Sequence, residues 1–341
     1  MMVRLKVLVL LASALWCACA AAQPYYMYIA NESEDTVVLV SFDGHDLQIA
    51  ERIPVGNMLT EIEGPHGLTV SPDGRFWFVS MAHGQPFGKI VRYSTTDNRK
   101  TGEVTVGLFP ASMAISPLTG LLHVVNYNLH GAPEPSSISV VDPDAMTEVA
   151  RVETGIMPHG SQFTPDGLVH YSVAMMSHEL IEQDGLKLDI RRRLPLGAGV
   201  RPTWVAVHLD RPQAYVAGNG SDEILIVDLN AWQVTERISA PGAPYNLAVT
   251  PDGRSLVATL KSAGAIGFYD INTAAEDKRI ESAEALPHGI ALAPDGRYAF
   301  VTSENIGHAP GTVEAIDLTL RERVARVSTG QQAGGIVFWK R

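Results

Sequence analysis

The chain has 341 residues, of which 46% are hydrophobic and 18% charged, and its formal net charge is −11. High apolar content with low charge density excludes a disordered chain, and the acidic balance excludes a phosphate-backbone partner such as DNA or RNA. The 30 glycines and 21 prolines favour a turn-rich β protein over a helical one.

In chain order, the first predicted element is a targeting segment. Arg4 and Lys6 form a positive start, and Val7 to Trp16 is an apolar run too short to span a bilayer. Ala20-Ala21-Ala22 before Gln23 fits a small-residue cleavage site. Residues 1–22 therefore read as a secretory signal peptide and residues 23–341 as one mature domain in the periplasm or outside the cell. Both cysteines, Cys17 and Cys19, fall in the leader. The mature chain then has no disulfide, no thiolate nucleophile and no thiolate metal ligand. No other stretch is long and apolar enough to span a membrane.

The rest of the chain is a repeat. A proline recurs at Pro65, Pro110, Pro158, Pro202, Pro244 and Pro287, with Gln332 expected in the seventh place. After each comes a short apolar strand and then a turn such as Pro72-Asp73-Gly74, Pro165-Asp166-Gly167, Pro251-Asp252-Gly253 or Pro294-Asp295-Gly296. A β-rich run follows (Phe76-Trp77-Phe78-Val79), then a third strand ending near an aspartate (Val140-Val141-Asp142, Ile226-Val227-Asp228), then a fourth. Four strands per repeat of this length describe a propeller blade. Tyr25–Ile29 reads as a second strand without a first, and Gly335–Trp339 as a first strand without a successor. The expected fold is all-β, a seven-bladed β-propeller of four-stranded antiparallel blades. Its ring is closed by pairing the N- and C-terminal strands in one blade, which removes the open sheet edge and lets the protein stand as a monomer.

The segments Pro65 to Val79, Pro244 to Ala258 and Pro287 to Thr302 share the pattern P-x-G, apolar strand, S/T-P-D-G, apolar strand. This pattern resembles the YVTN-repeat (YncE-like) β-propellers. The resemblance implies fold far more than function, because related propellers include lyases, lactonases, oxidases and plain binding scaffolds.

Position within the repeat assigns residues to faces. His66, His159 and His288 occupy the x of P-x-G in blades two, four and seven, where the innermost strand begins. His83, His130, His178 and His308 fall in loops between second and third strands on the same face. His45, His123, His170 and His208 map towards the opposite face. Neutral imidazole is the commonest protein ligand for copper and zinc, so the seven histidines of one face predict a metal site. Copper is expected first and zinc second. His66, His159 and His288 form its centre, with an open coordination position. Glu304 and Met176 are further candidate ligands, and Trp204, Tyr245 and Lys261 a candidate substrate wall on the same face. The competing reading for each is bland: a channel histidine bonded to backbone, a solvated acid, a core methionine.

No Ser-His-Asp order, nucleophile elbow, phosphate-binding glycine loop or nucleotide-cofactor motif is present. Three functions stay open: a metal-binding protein or metal enzyme, a non-catalytic binding scaffold, and a metal-dependent lyase resembling virginiamycin B lyase. In the lyase Glu304 would help hold the metal. A haem-binding scaffold with one axial histidine is a variant of the second. Substrate and any protein partner are unspecified.

Overall fold

A computed structural model describes residues 23–58 and 60–341. The signal-peptide reading of residues 1–22 lies outside the described residues. Seven four-stranded antiparallel sheets are present, each running in chain order from its innermost strand. Blade one pairs Ala333–Lys340 with Tyr25–Asn31, which continues into Thr36–Phe42 and Leu47–Pro54. The expected closure is therefore the observed one. Blade two spans residues 65–105, blade three 110–156, blade four 158–195, blade five 202–239, blade six 244–281 and blade seven 287–331. The seven first strands pack side by side in a closed ring around the axis. No helix among the described residues is long and apolar enough to cross a membrane.

The seventh repeat position is corrected by one residue. The residues before each proline, Phe109, Met157, Arg201, Ala243 and Leu286 together with Gly64, have positive φ, and Gln332 shares that conformation (φ 56°). Ala333 therefore holds the proline place, and Gly334 is the counterpart of His66, His159 and His288.

The P-x-G signature has a steric cause. Between Pro65↔Met81 and Leu68↔Val79 the ladder slips by one residue, and blades four and seven slip in the same place. This bulge turns the x side chain towards the axis. The glycine that follows lies against the next blade. A Cβ at Gly67 would stand 2.1 Å from Ala111 O, and one at Gly335 1.9 Å from His66 O. In blades two and seven a hydroxyl of the second strand holds the bulge: Gly67 N donates to Ser80 Oγ (2.8 Å) and Gly289 N to Thr302 Oγ1 (2.9 Å). Thr302 in turn donates to Gly334 O of the neighbouring blade (2.6 Å). Gly335→Ala is expected to destabilise the ring by about 1–3 kcal/mol through this backbone clash. The check is a lower urea midpoint with unchanged slope.

Between blades, side chains of second and third strands interdigitate. Trp77 is fully buried and stacked between Tyr28 (4.8 Å) and Tyr93 (4.2 Å), and its Nε1 donates to Asn98 Oδ1 (2.9 Å). The histidines expected on the opposite face are not all there. His45 is exposed in a turn, and His208 caps one, accepting from Asp210 N and Arg211 N at Nδ1. His123 and His170, however, are fully buried in the second strands of blades three and four, because their positions in the strand point between blades rather than out of a loop.

Candidate functional site at the axial mouth

The bulges bring three imidazoles and a phenol together. The ring centroid of His66 lies 5.5 Å from that of His288 and 6.4 Å from that of His159. Tyr245, at the x position of blade six, fills the gap between them, 5.3 Å from His159 and 4.7 Å from His288. Behind these rings is a cavity of about 80 Å³, lined at its far end by Leu68, Met113, Ile290 and Ile336.

Hydrogen bonds fix the state of each ring. His159 Nδ1 lies 2.8 Å from Thr203 O, and a carbonyl can only accept, so Nδ1 carries the proton. Its Nε2 is then the acceptor for Tyr245 OH at 2.9 Å. Burial, with the charges of His66 and Lys261 added, pulls the His159 pKa down to about 3. His288 is pushed well below the ordinary histidine value by burial first and by Lys261 next. Both are neutral at pH 7. Among the described residues neither nitrogen of His288 has a hydrogen-bond partner, although Glu304 Oε1 stands 3.4 Å from Nε2.

His66 is held differently. Its Nδ1 lies 2.7 Å from Glu32 Oε2, and the other oxygen of the same carboxylate lies 2.6 Å from His83 Nε2. Burial raises the Glu32 pKa, but the charges and hydrogen bonds of His66 and His83 together outweigh it and hold the carboxyl at about 2. An ionised carboxylate only accepts, so both imidazoles donate to it. His66 Nε2 is left to face the axis. The bond to Glu32 outweighs burial at His83 and raises its pKa. Gly64 makes room for that ring: a Cβ there would meet His83 Cδ2 at 1.9 Å.

On the other side of the mouth, Lys261 Nζ donates to Glu304 Oε1 (2.8 Å) and sits 4.3 Å from the centroid of the Tyr245 ring. Burial, with Glu304 next, raises the Tyr245 pKa well above its ordinary value, so its hydroxyl stays protonated.

The predicted residues divide accordingly. His66, His159, His288, His83, Tyr245, Lys261 and Glu304 form one connected group, and Trp204 packs 6.3 Å from His159. His130 is exposed at the rim, 5.5 Å from His83. His178 is outside the group, its Nδ1 accepting from Arg201 N (3.2 Å), and His308 is exposed in its loop. Met176 is 41% exposed, and Met175 turns inward instead, its Sδ accepting from Tyr127 OH at 3.5 Å. Among the described residues no group of three or more His, Cys, Asp or Glu side chains is arranged to hold a metal ion. At the centre of the expected site both nitrogens of His159 are engaged, whereas the bond to Glu32 leaves Nε2 of His66 free.

Glu32, which organises the mouth, was not among the predicted residues. It directly follows the second strand of blade one, the same register as Lys261 in blade six and Glu304 in blade seven. That shared register was the available signal.

No family model and no curated protein matches the chain, so the family suggested by its repeat is not assigned. Solved structures do match. The chain is similar to a hydrazine synthase chain of Kuenenia stuttgartiensis at 21% identity and a TM-score of 0.70, over 84% of this chain and 92% of that one. It is similar to PpgL, a periplasmic gluconolactonase of Pseudomonas aeruginosa, at 17% identity and 0.74, over 93% and 99%. A protein of unknown function from Desulfotomaculum acetoxidans matches at 13% and 0.75, over 92% and 99%. The architecture is that of lactonase and hydrazine synthase propellers. At these identities the likeness shows the fold alone.

Proposed function

We propose that the axial mouth is an acid–base centre that hydrolyses a small lactone or ester, in a protein exported to the periplasm or beyond. The observation that carries this reading is the buried Glu32–His66 pair, with Nδ1–H donated to the carboxylate and Nε2 turned to the axis. A carboxylate so placed fixes the tautomer of a general base and stabilises the imidazolium it becomes. His66 Nε2 takes a proton from a water as its oxygen attacks the substrate carbonyl. Lys261 supplies positive charge for the developing oxyanion. The acyl C–O bond then breaks, and the proton on His66 passes to the departing alkoxide, giving a carboxylic acid and an alcohol, or a hydroxy acid from a lactone. The lactonase named among the similar structures supports the substrate class by analogy only.

The test is hydrolysis of a panel of lactones and simple esters, followed at fixed pH by proton release. His66→Gln is expected to lower kcat by about 10²–10⁴, the usual contribution of a positioned general base. Equal rates in both proteins, or no turnover above the uncatalysed rate, would overturn the assignment.

A second reading is a metal ion, copper before zinc, bound between His66 and His288. The two unpartnered nitrogens of His288 favour it. Elemental analysis after exposure to each metal decides: about one bound equivalent lost in His288→Ala would replace the metal-free mechanism.

A further inference from the structure

The mouth has two unlike sides. Blades six, seven, one and two present Lys261, Glu304, Glu32 and His83, joined by ion pairs and hydrogen bonds. Blades three and four present Phe109, Tyr127, Met157 and Met175, which pack with Ala82 and Ala111 into one apolar cluster. The same registers produce both sides. Tyr127 and Met175 follow the second strands of their blades as Glu32, Lys261 and Glu304 follow theirs. Phe109 and Met157 precede the first strands.

His66 stands where the two sides meet, bonded to Glu32 and 5.5 Å from the Phe109 ring. His159 closes the far end of the apolar side, 5.0 Å from Tyr127. The hydroxyl of Tyr127 is spent on the Met175 sulfur. Met157 and Met175 are half-buried, so part of each remains open at the mouth, and exposed Leu129 and Met176 extend the apolar surface outward on the loops of the same two blades.

We infer that the substrate is amphipathic: a lactone or ester whose carbonyl faces the polar side and whose alkyl or aryl substituent lies against Met157 and Met175, which are backed by the buried Phe109 and Tyr127. This rests on the hydrolytic reading for the reaction but not for the shape of the ligand. A sugar lactone carries hydroxyls around its whole ring and needs polar partners all round, whereas Met157 and Met175 present thioethers. Thioethers instead adapt to flexible chains and to ring edges.

The test compares δ-decalactone and dihydrocoumarin with glucono-δ-lactone on the full mature protein, each kcat/KM divided by the uncatalysed hydrolysis rate. The expected result is a preference of at least about tenfold for the two apolar lactones. Met175→Gln is expected to lower kcat/KM for δ-decalactone about tenfold more than for glucono-δ-lactone, through KM. Equal or better use of glucono-δ-lactone would overturn the inference. Binding read by tryptophan fluorescence separates the two claims. If no lactone turns over, saturable binding of δ-decalactone that is tighter than that of glucono-δ-lactone and weakened by Met175→Gln still upholds the sided mouth, while the hydrolytic reading falls. If neither lactone binds, both fall. Met157→Gln repeats the measurement on a different strand should Met175→Gln unfold.

Discussion

Replacing His123 by leucine is expected to stabilise the folded protein, and by more at pH 5 than at pH 7.5. His123 is fully buried, and neither ring nitrogen has a hydrogen-bond partner among the described residues. Its ring packs against those of Phe163 and His170, each 4.8 Å away, and His170 itself leaves Nε2 unpaired among the described residues. A buried polar group without a partner costs about 1–3 kcal/mol, which leucine would not incur. The loss of aromatic contacts with Phe163 and His170 offsets part of that gain.

The pH dependence follows from the sign of the shift. Burial, then the neighbouring charge of His170, lowers the His123 pKa to about 2, and burial lowers that of His170 to about 4. Below the unfolded value near 6.5, the unfolded chain takes up protons that the native ring refuses. Stability is therefore complete above pH ~7 and declines as pH falls from ~6.5 towards the folded pKa values. For one such histidine the loss reaches about 2 kcal/mol by pH 5. His159 and His288 act in the same direction, so the whole molecule should be acid-sensitive in a range where most proteins are not. Urea midpoints at the two pH values, for both proteins, are the measurement. The gap between them should narrow in His123→Leu. An unchanged gap, or a variant weaker at both pH values, would show that the site is satisfied in a way its geometry does not reveal.

The repeat was legible because a propeller is built from one register used seven times. The proline, the bulge behind it and the Pro-Asp-Gly turn each leave a residue-level mark, and the closure could be read from which strand types begin and end the chain. The register also placed His66, His159 and His288 on the axis correctly. It could not tell what each nitrogen does. His159 looks identical to His66 in sequence, yet Thr203 O and Tyr245 OH occupy it, while Glu32 leaves one nitrogen of His66 free. Those partners come from other blades, between 34 and 86 residues away, and no local pattern encodes them. Loop position misled at His178 and His308 because the loops between second and third strands differ in length and path, so a shared face did not mean a shared site. The off-by-one at Gln332 has a similar origin. With no proline at this corner of blade one, only the positive φ reveals which residue holds it.

Glu32→Gln is expected to cost both function and stability, and to divide the two imidazoles that the carboxylate now serves together. The carboxylate accepts from His66 Nδ1 with one oxygen and from His83 Nε2 with the other. A carboxamide keeps one acceptor and turns a donor to the second ring, so one histidine must change tautomer. If His66 does, its Nε2 gains a proton and can no longer act as a base. Within the hydrolytic reading, kcat should then fall by about 10²–10⁴. If His83 does, its raised pKa should return towards the ordinary value, because the bond to Glu32 is the main cause of the shift. Histidine NMR on the variant distinguishes the two. Stability should fall as well, since a hydrogen bond to a charged acceptor contributes about 1.5–3 kcal/mol and one of the two is lost. The sign in pH is distinct from that of the buried histidines. Glu32 has a lowered pKa, so its contribution is present above ~4.5 and is lost only as pH falls towards 2. Acid unfolding of the native protein should accordingly have two limbs, one below pH ~6.5 from His123, His170, His159 and His288, and a second below ~4.5 from Glu32. The variant should keep the upper limb and show a shallower lower one, because aspartates held below the usual carboxylate range, such as Asp73 and Asp184, titrate there too. A variant with unchanged turnover and unchanged urea midpoint would mean that His66 is oriented by its packing against Phe109 and His288 alone, and the carboxylate would then have no claim on the chemistry.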